Sequence, residues 1–285
     1  MSGISSLPLL QASSVTGGDD LSVLALIGLA LMSLVVGLIG GLVGIALGVI
    51  RLPSMTFFGV DPFLAAGTNL FVSMVGALAA SWPAFVQQRV AVRVAILLGV
   101  PAVVGSLIGG IYADIVPAGA LLGLVGMFLL WSAISMFVRS MSDLRGSSRS
   151  LSRRNYTDRV ELTRRTMVRE GVVGMIIGLV GGAAGLALGF LRLPAMVQVL
   201  KMHPGVAAGT NLLITILIGL AGFFGHLIAG RVDWTLVAVL GSTGTVGMYV
   251  GSRFTDKVDP VKLRLALSLV LFVIAPFVFY GAVTR

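Results

Sequence analysis

The sequence of 285 residues contains no cysteine, which excludes disulfide bonds, thiol nucleophiles and cysteine-ligated metals. It also contains neither an HExxH nor a GxSxG motif, and every Asp and Glu lies in a tail, in a loop or at the end of an apolar stretch. An enzyme acting within a membrane would need such a nucleophile, metal site or acid pair. We therefore predict that the protein is not an enzyme and uses no cofactor or metal.

Charged residues are also scarce. They make up 11% of the chain, whereas 57% of the residues are hydrophobic and the mean hydropathy is +1.05. No soluble domain of this length could bury so much apolar surface, and most apolar stretches approach the roughly 20 residues that span a bilayer. We therefore predict an all-α polytopic membrane protein. The stretches are roughly 21–50, 63–86, 94–112, 117–138, 171–191, 205–229, 234–252 and 262–283.

A thirteen-residue pattern occurs twice, 141 positions apart: GLVGIALGVIRLP at 41–53 and GAAGLALGFLRLP at 182–194. The hexapeptide AAGTNL at 65–70 recurs at 207–212, with an offset of 142. Two hydrophobic halves of this size are typical of transporters. The predicted organisation is an external tail (1–20), a first transmembrane repeat (21–138), a basic cytoplasmic linker (139–170) and a second transmembrane repeat (171–285).

Positive charge is concentrated in the linker, where nine arginines accompany four acids. The positive-inside rule places this segment in the cytoplasm. Its serines and arginines favour a topology anchor that contacts anionic membrane lipid. Because the net charge of +9 is not spread over a soluble face, we expect no nucleic-acid partner.

Loop charges predict how the halves are related. If every apolar stretch crosses the membrane once, the halves are parallel, with +6 inside and +3 outside. If the first stretch of each half enters and returns on one side, the halves are inverted, with +11 inside and −2 outside. The larger contrast favours inversion and requires first segments that are broken or re-entrant. We expect the breaks at Gly40-Gly41 and Gly181-Gly182, although these glycines could instead serve close helix packing.

Arg51 and Arg192 occupy equivalent positions, and each precedes Leu-Pro at the end of a helical segment. One interpretation is that both side chains snorkel to the membrane interface. The other is an anion clamp, in which the pseudo-two-fold axis brings the two guanidiniums together. Their planar forks match two oxygens of a sulfonate, sulfite or carboxylate.

A second symmetric polar set follows a proline in each half. Its members are Gly67, Thr68, Asn69, Gly209, Thr210 and Asn211. If the helix is interrupted at Ala-Ala-Gly, these residues present polar groups at a positive helix end and form an anion site. The alternative is that Thr and Asn make hydrogen bonds between helices.

His226 is the only ionisable residue well inside a predicted span, and its counterpart in the first half is Ala84. It therefore breaks the symmetry of the repeats. Both a packing role and a role as a proton carrier are open.

The duplicated pattern G-G-x-x-G-x-x-x-G, followed by R-L-P and then by A-A-G-T-N, resembles the TauE/SafE family of sulfite exporters and sulfonate permeases. The resemblance covers both halves. It implies secondary transport of a small sulfur-containing or organic anion across a bacterial inner (cytoplasmic) membrane, with about eight helices. This chain has IRLPSM and LRLPAM where relatives have G-G-G-x-x-x-P, which leaves the substrate open.

The sequence thus predicts an inverted-repeat secondary transporter that moves a small oxyanion by alternating access, with proton coupling as an option. A passive anion channel is the alternative, since it would use the same arginines. The expected partners are a small anionic solute and membrane lipid. A homo-oligomer is compatible with the sequence.

Overall fold

The computed structural model describes residues 17–86, 88–142, 164–189, 192, 193, 196, 200, 202, 204–254 and 260–283. These residues form long helices joined by short connections. The helices are α1 (Val23–Val43), α2 (Gly48–Phe57), α3 (Pro62–Val86), α4 (Val92–Ile111), α5 (Ala118–Ser142), α6 (Arg164–Ala183), α7 (Pro204–Ile228), α8 (Trp234–Arg253) and α9 (Pro260–Val283). Short 3-10 turns cover Gly18–Asp20 and Ala113–Ile115.

Four of the described helices are long and apolar enough to cross a membrane: α1, α3, α4 and Val206–Ile228 of α7. Large apolar side chains such as Leu24 and Trp131 are exposed on the outside of the bundle, as lipid-facing residues are. The predicted all-helical class is confirmed for the described part of the chain, and the helices are those of an integral membrane protein. Most of the predicted tail and most of the predicted linker lie outside the described residues.

The first apolar stretch of each half is broken, but not where the sequence suggested. Helix α1 ends at Val43, and Gly44 adopts a left-handed conformation with φ of 72°. The Gly44 N–H donates to the carbonyl of Gly41, and the next N–H donates to that of Gly40. This is a Schellman motif, whose left-handed position favours glycine. The predicted break at Gly40-Gly41 is therefore wrong, because that pair lies inside α1.

The second half repeats this ending. Gly185 has φ of 69°, its N–H donates to the carbonyl of Gly182, and the N–H of Leu186 donates to that of Gly181. We call the two turns the first tip (residues 44–47) and the second tip (residues 184–188).

The two arms of the first broken segment are unequal. Helix α1 has 21 residues and α2 has 10, so they are about 32 Å and 15 Å long at about 1.5 Å per residue. The second arm is therefore about half as long as the first.

Helices α1 and α8 lie side by side and run in the same direction, with Gly37 against Gly244. Helices α6 and α4 are related in the same way, with Gly178 against Ala102. The other large contacts are α3 with α7, α5 with α9, α3 with α8 and α4 with α7. Exchanging the two halves of the chain reproduces this set of contacts.

Contacts join both ends of the broken segment α1–α2 to neighbouring parts of the chain. The backbone N–H of Gly18, just before α1, donates to the Asp233 carboxylate. The N–H of Asp233 donates to Thr68 near the start of α3, over 3.4 Å. The ring of Phe58, which follows α2, packs near Gly28 in the first part of α1. The residue before α1 thus lies near Thr68 of α3 through Asp233, and the residue after α2 lies near the first part of α1.

Glycine packing along α8 generates the first prediction. A Cβ added at Gly247 would collide with the backbone of α1 at Leu34 and Leu38, whereas one added at Gly241 would meet only the Phe71 ring at 3.9 Å. We expect Gly247→Ala to destabilise the protein by about 1–3 kcal/mol, as overpacking does. Gly241→Ala should be neutral or slightly stabilising. Thermal unfolding of the purified variants in one detergent measures the difference, and equal melting temperatures would contradict it.

Candidate functional site

Arg51 lies in the second turn of α2 and is fully buried, with 0% of its surface exposed. Its Nη1 donates to the side-chain oxygen of Asn69 on α3 over 3.1 Å. Its Nη2 lies close to Gly244, since a Cβ there would be 3.4 Å away. The guanidinium is thus enclosed by α2, α3 and α8.

Arg192 occupies the equivalent position in the second half and is 5% exposed. Its Nη2 donates to Thr215 Oγ1 on α7 over 3.1 Å. Within the described part of the chain its Nε and Nη1 have no hydrogen-bond partner, and neither does the side-chain amide of Asn211. Two buried donor nitrogens of Arg192, Nε and Nη1, are therefore left without hydrogen bonds to the described chain.

The burial of both arginines bears on the two interpretations of the sequence. A snorkelling arginine keeps its guanidinium in the wet interface. Both side chains are instead enclosed by protein, and each makes a hydrogen bond to a neutral side chain of the following long helix. Snorkelling is therefore wrong as an account of their position.

Asn69 connects the two halves. Its Nδ2 donates to the carbonyl of Gly185 in the second tip over 2.7 Å and to that of Gly48 over 3.2 Å. Its oxygen accepts from Arg51. One buried amide therefore joins α2, α3 and the second tip.

The threonines do not join this network. The hydroxyl of Thr68 accepts from the N–H of Asp233, and that of Thr210 accepts from the N–H of Ala91 over 2.9 Å. Asp233 directly precedes α8 and Ala91 directly precedes α4, so each threonine holds the residue before another helix. This is the interhelical role that the sequence left open as the alternative.

The expected helix interruption at Ala-Ala-Gly is wrong. Helix α3 is continuous from Pro62, and α7 is continuous from Pro204. Asp61 explains where α3 begins, because its carboxylate accepts from the N–H groups of Phe63 and Leu64 and caps the helix ahead of a proline. Thr68 thus lies inside the helix, where no free N–H groups are available for an anion.

Gly67 and Gly209 serve close packing. A Cβ at Gly67 would collide with the carbonyl of Arg231 and with His226. A Cβ at Gly209 would collide in the same way with the carbonyl of Arg89.

His226 is buried, and its Nε2 lies 2.9 Å from the carbonyl oxygen of Gly182 at the end of α6. Because a carbonyl oxygen only accepts hydrogen bonds, Nε2 carries the proton. The other ring nitrogen, Nδ1, has no hydrogen-bond partner in the described chain. His226 therefore supports the turn that leads into the second tip. This contact gives the residue a structural role.

The geometry can be compared with known proteins. The family described as Sulfite exporter TauE/SafE matches residues 29–277, which is most of the chain. The chain belongs to the TauE/SafE family. No solved structure matches it.

Relatives that are similar to this chain carry the description "Probable membrane transporter protein". The chain is 23% identical over 266 residues to "Probable membrane transporter protein YunE" of Bacillus subtilis, covering 90% of this chain and 97% of the relative. It is 24% identical over 241 residues to "Probable membrane transporter protein YdhB" of the same organism, covering 84% and 92%. "Probable membrane transporter protein MJ0441" of Methanocaldococcus jannaschii is 22% identical over 265 residues, covering 87% and 93%. The protein is a membrane transporter of the TauE/SafE family.

Sequence reasoning missed two residues of this TauE/SafE site, Ser73 and Thr215. Thr215 binds Arg192, and Ser73 Oγ would lie 3.0 Å from a Cβ on Gly48. The two hydroxyls have the same offset of 142 as the asparagines and lie four residues after them, on the same helix face. That spacing is the signal that could have identified them.

The site is a set of hydrogen-bond donors with positive charge. Each guanidinium bonds to a neutral side chain, and the described residues contain no group of His and acidic side chains that could hold a metal ion. Donors of this kind recognise oxygen atoms that carry negative charge.

The threonine contacts generate the second prediction. Thr210→Val removes the hydroxyl that the Ala91 N–H donates to, so we expect it to destabilise the protein by about 1–3 kcal/mol. Thr210→Ser keeps the hydroxyl and should restore most of the stability. Thermal unfolding in detergent tests this. Equal stability of the Val and Ser variants would contradict the structural role.

Proposed function

We propose that the protein is a secondary transporter that moves a small sulfur-containing or organic oxyanion across the membrane by alternating access. The observation that carries the proposal is the burial of Arg51 and Arg192 inside an apolar helix bundle. In the described part of the chain neither guanidinium has a carboxylate partner; their recorded partners are Asn69 and Thr215.

A buried arginine without a counter-ion is energetically unfavourable. An arginine at the centre of a membrane helix costs about 2.5–3.5 kcal/mol on insertion scales, and such residues mark substrate or ion pathways. Because the guanidinium stays protonated, the charge cannot be removed by deprotonation. An anion would neutralise this charge and accept hydrogen bonds from the remaining N–H groups of the guanidinium. A cation would increase the repulsion, which is why we propose an anionic solute.

The substrate class rests on chemistry and on the family description. A planar guanidinium offers two parallel N–H bonds to two oxygens of one acid group, as sulfite, a sulfonate or a carboxylate presents. The family is described as sulfite exporters. A small sulfur oxyanion therefore fits best, with small carboxylates as the nearest competitors.

Alternating access is supported by the equivalent helix contacts that the two halves make. Helix pairs α1–α8 and α6–α4 correspond, and both broken segments end in the same glycine turn. Together with loop charges of +11 and −2, these features support two inverted repeats. In such proteins, one repeat rocks against the other around a central site. The excess of positive charge in the predicted linker supports the cytoplasmic membrane as the location.

His226 is a candidate for proton coupling because its Nδ1 has no partner among the described residues. Proton coupling would require this nitrogen to bind a proton during the cycle, while Nε2 stays on Gly182. We propose it as an accessory function only.

Anion binding is tested by thermal-shift measurements on purified protein with sulfite, sulfate, thiosulfate, taurine, sulfoacetate and small carboxylates. A ligand that binds only the folded state raises the apparent melting temperature. At a ligand concentration of 100 times the Kd, it stabilises the folded state by about 2.7 kcal/mol. We expect a shift with at least one sulfur oxyanion, and its loss when Arg51→Ala and Arg192→Ala are combined. The exposed Arg93→Ala is the matched control, which should retain the shift.

A shift that survives in the double variant would contradict the role of the arginines. No shift with any anion would contradict the proposed substrate class. Uptake into proteoliposomes then separates a carrier from a channel, because carrier flux saturates and is stimulated by substrate on the opposite side. Flux that rises linearly with concentration would favour the passive channel.

The lack of cysteine allows a direct test of the inverted arrangement. Single-cysteine variants Ser22→Cys, Phe58→Cys and Arg93→Cys all replace exposed residues. We expect a membrane-impermeant maleimide to label the first two from the same side of intact cells or spheroplasts, and the third from the opposite side. Labelling of Ser22→Cys and Phe58→Cys from opposite sides would mean that the first segment crosses the membrane once.

A further inference from the structure

The two halves contain equivalent polar clusters that differ in how many of their polar atoms have hydrogen-bond partners. The first cluster is Arg51, Asn69 and Ser73, and the second cluster is Arg192, Asn211 and Thr215. All six side chains are at most 5% exposed. Because each residue of one cluster has a counterpart in the other, differences between them are not differences of composition, apart from the exchange of Ser for Thr.

The first cluster is nearly complete. The oxygen of Asn69 accepts from Arg51, and its Nδ2 donates to the carbonyls of Gly48 and Gly185. Within the described chain only one polar atom of this cluster is without a partner, Arg51 Nε. The cluster therefore has little left to offer a ligand, and it holds the second tip against α3.

The second cluster is incomplete. Four of its buried atoms have no partner in the described structure: Arg192 Nε, Arg192 Nη1, Asn211 Nδ2 and Asn211 Oδ1. Its recorded side-chain bond joins Arg192 to Thr215. Buried polar groups are nearly always hydrogen-bonded, so three unpartnered donors and one unpartnered acceptor in one place call for an explanation.

The second cluster is also more open. A Cβ built on Gly48 would lie 2.5 Å from the Asn69 amide nitrogen and 3.0 Å from Ser73 Oγ. At the equivalent Gly189 the distances are 2.8 Å to the Asn211 nitrogen and 3.4 Å to Thr215 Oγ1. Gly189 thus lies a few tenths of an ångström farther from the polar side chains of α7 than Gly48 lies from those of α3.

We propose that the anion binds to the second cluster, through Arg192 and Asn211. The first cluster holds the second tip in position, and we call it the latch. This inference rests on the proposed function and narrows it from two arginines to one contacting arginine. Nε and Nη1 of Arg192, together with Nδ2 of Asn211, supply N–H groups to the oxygens of one small oxyanion. Thr215 orients the guanidinium from its other nitrogen.

The latch has a separate role. Asn69 fixes the second tip, which lies seven residues before Arg192 along the chain and leads into the segment that carries it. Arg51 holds the Asn69 amide by its oxygen, so that both amide hydrogens point to carbonyls. The first arginine therefore acts as a positioning residue, while its charge adds to the positive potential of the site.

Matched substitutions in the full-length protein test the asymmetry. The variants are Asn211→Ala against Asn69→Ala, and Thr215→Ala against Ser73→Ala. Dissociation constants for sulfite, taurine and sulfate are measured by calorimetry in detergent, and melting temperatures are measured without ligand. The ligand-free melting temperature gives the readout that separates a latch from a binding residue.

We expect Asn211→Ala to raise the Kd of the bound anion about tenfold or more, as loss of a hydrogen bond to a charged group does. Its ligand-free melting temperature should stay close to that of the wild type. Asn69→Ala should lower the melting temperature by several degrees, because the bonds to Gly185 of the second tip and to Gly48 of α2 are lost. It should change the Kd by less than about threefold. Thr215→Ala should weaken binding more than Ser73→Ala does.

Equal losses of affinity from the two asparagine variants would overturn the asymmetric site and leave oxyanion transport standing. A larger loss from Asn69→Ala would overturn it as well. If the wild type binds none of the three anions and shows no thermal shift with the other anions screened, the proposed function fails before the asymmetry is tested. Should Asn69→Ala not fold, the pair Thr215→Ala and Ser73→Ala carries the same comparison, and equal effects there would reject the proposal.

Discussion

The structure depends on one constraint: a helix that breaks inside an apolar bundle must have its freed polar groups satisfied by protein. Lipid offers no hydrogen bonds, so irregular backbone at membrane depth is tolerated only where protein or a water-filled cavity covers it. Gly44 and Gly185 close their own helices with Schellman bonds. At the second tip, Asn69 supplies a further donor to the carbonyl of Gly185, and His226 supplies one to that of Gly182.

That requirement explains why polar residues concentrate where they do. Asn69 and its partner Arg51 lie beside the broken segments, and the glycines of α1, α4, α6 and α8 let the supporting helices approach closely. The donors that hold one tip are the same kind of groups that recognise an oxyanion. A site for an anion can therefore arise from residues whose first role is to support the broken backbone.

Particular residues show how far the sequence alone reaches. Hydropathy and the length of the apolar stretches predicted the helical class. The equivalence of Arg51 with Arg192, and of Asn69 with Asn211, was also visible in the sequence. The break at Gly44 was placed too early, because a glycine pair favours both a bend and close packing, and only the packed partner on α8 decides between them.

The sequence by itself determined that the protein belongs in a membrane, that its two halves are related and which polar residues are paired, because composition and repetition are properties of the chain. Only the tertiary structure decided what those residues contact. It buried both arginines and turned Thr68 and Thr210 toward neighbouring connections. It also gave the Asn69 amide hydrogen-bond partners, whereas the Asn211 amide has none among the described residues. The physical reason is that hydrogen bonds between halves join residues more than a hundred positions apart, as Asn69 and Gly185 are.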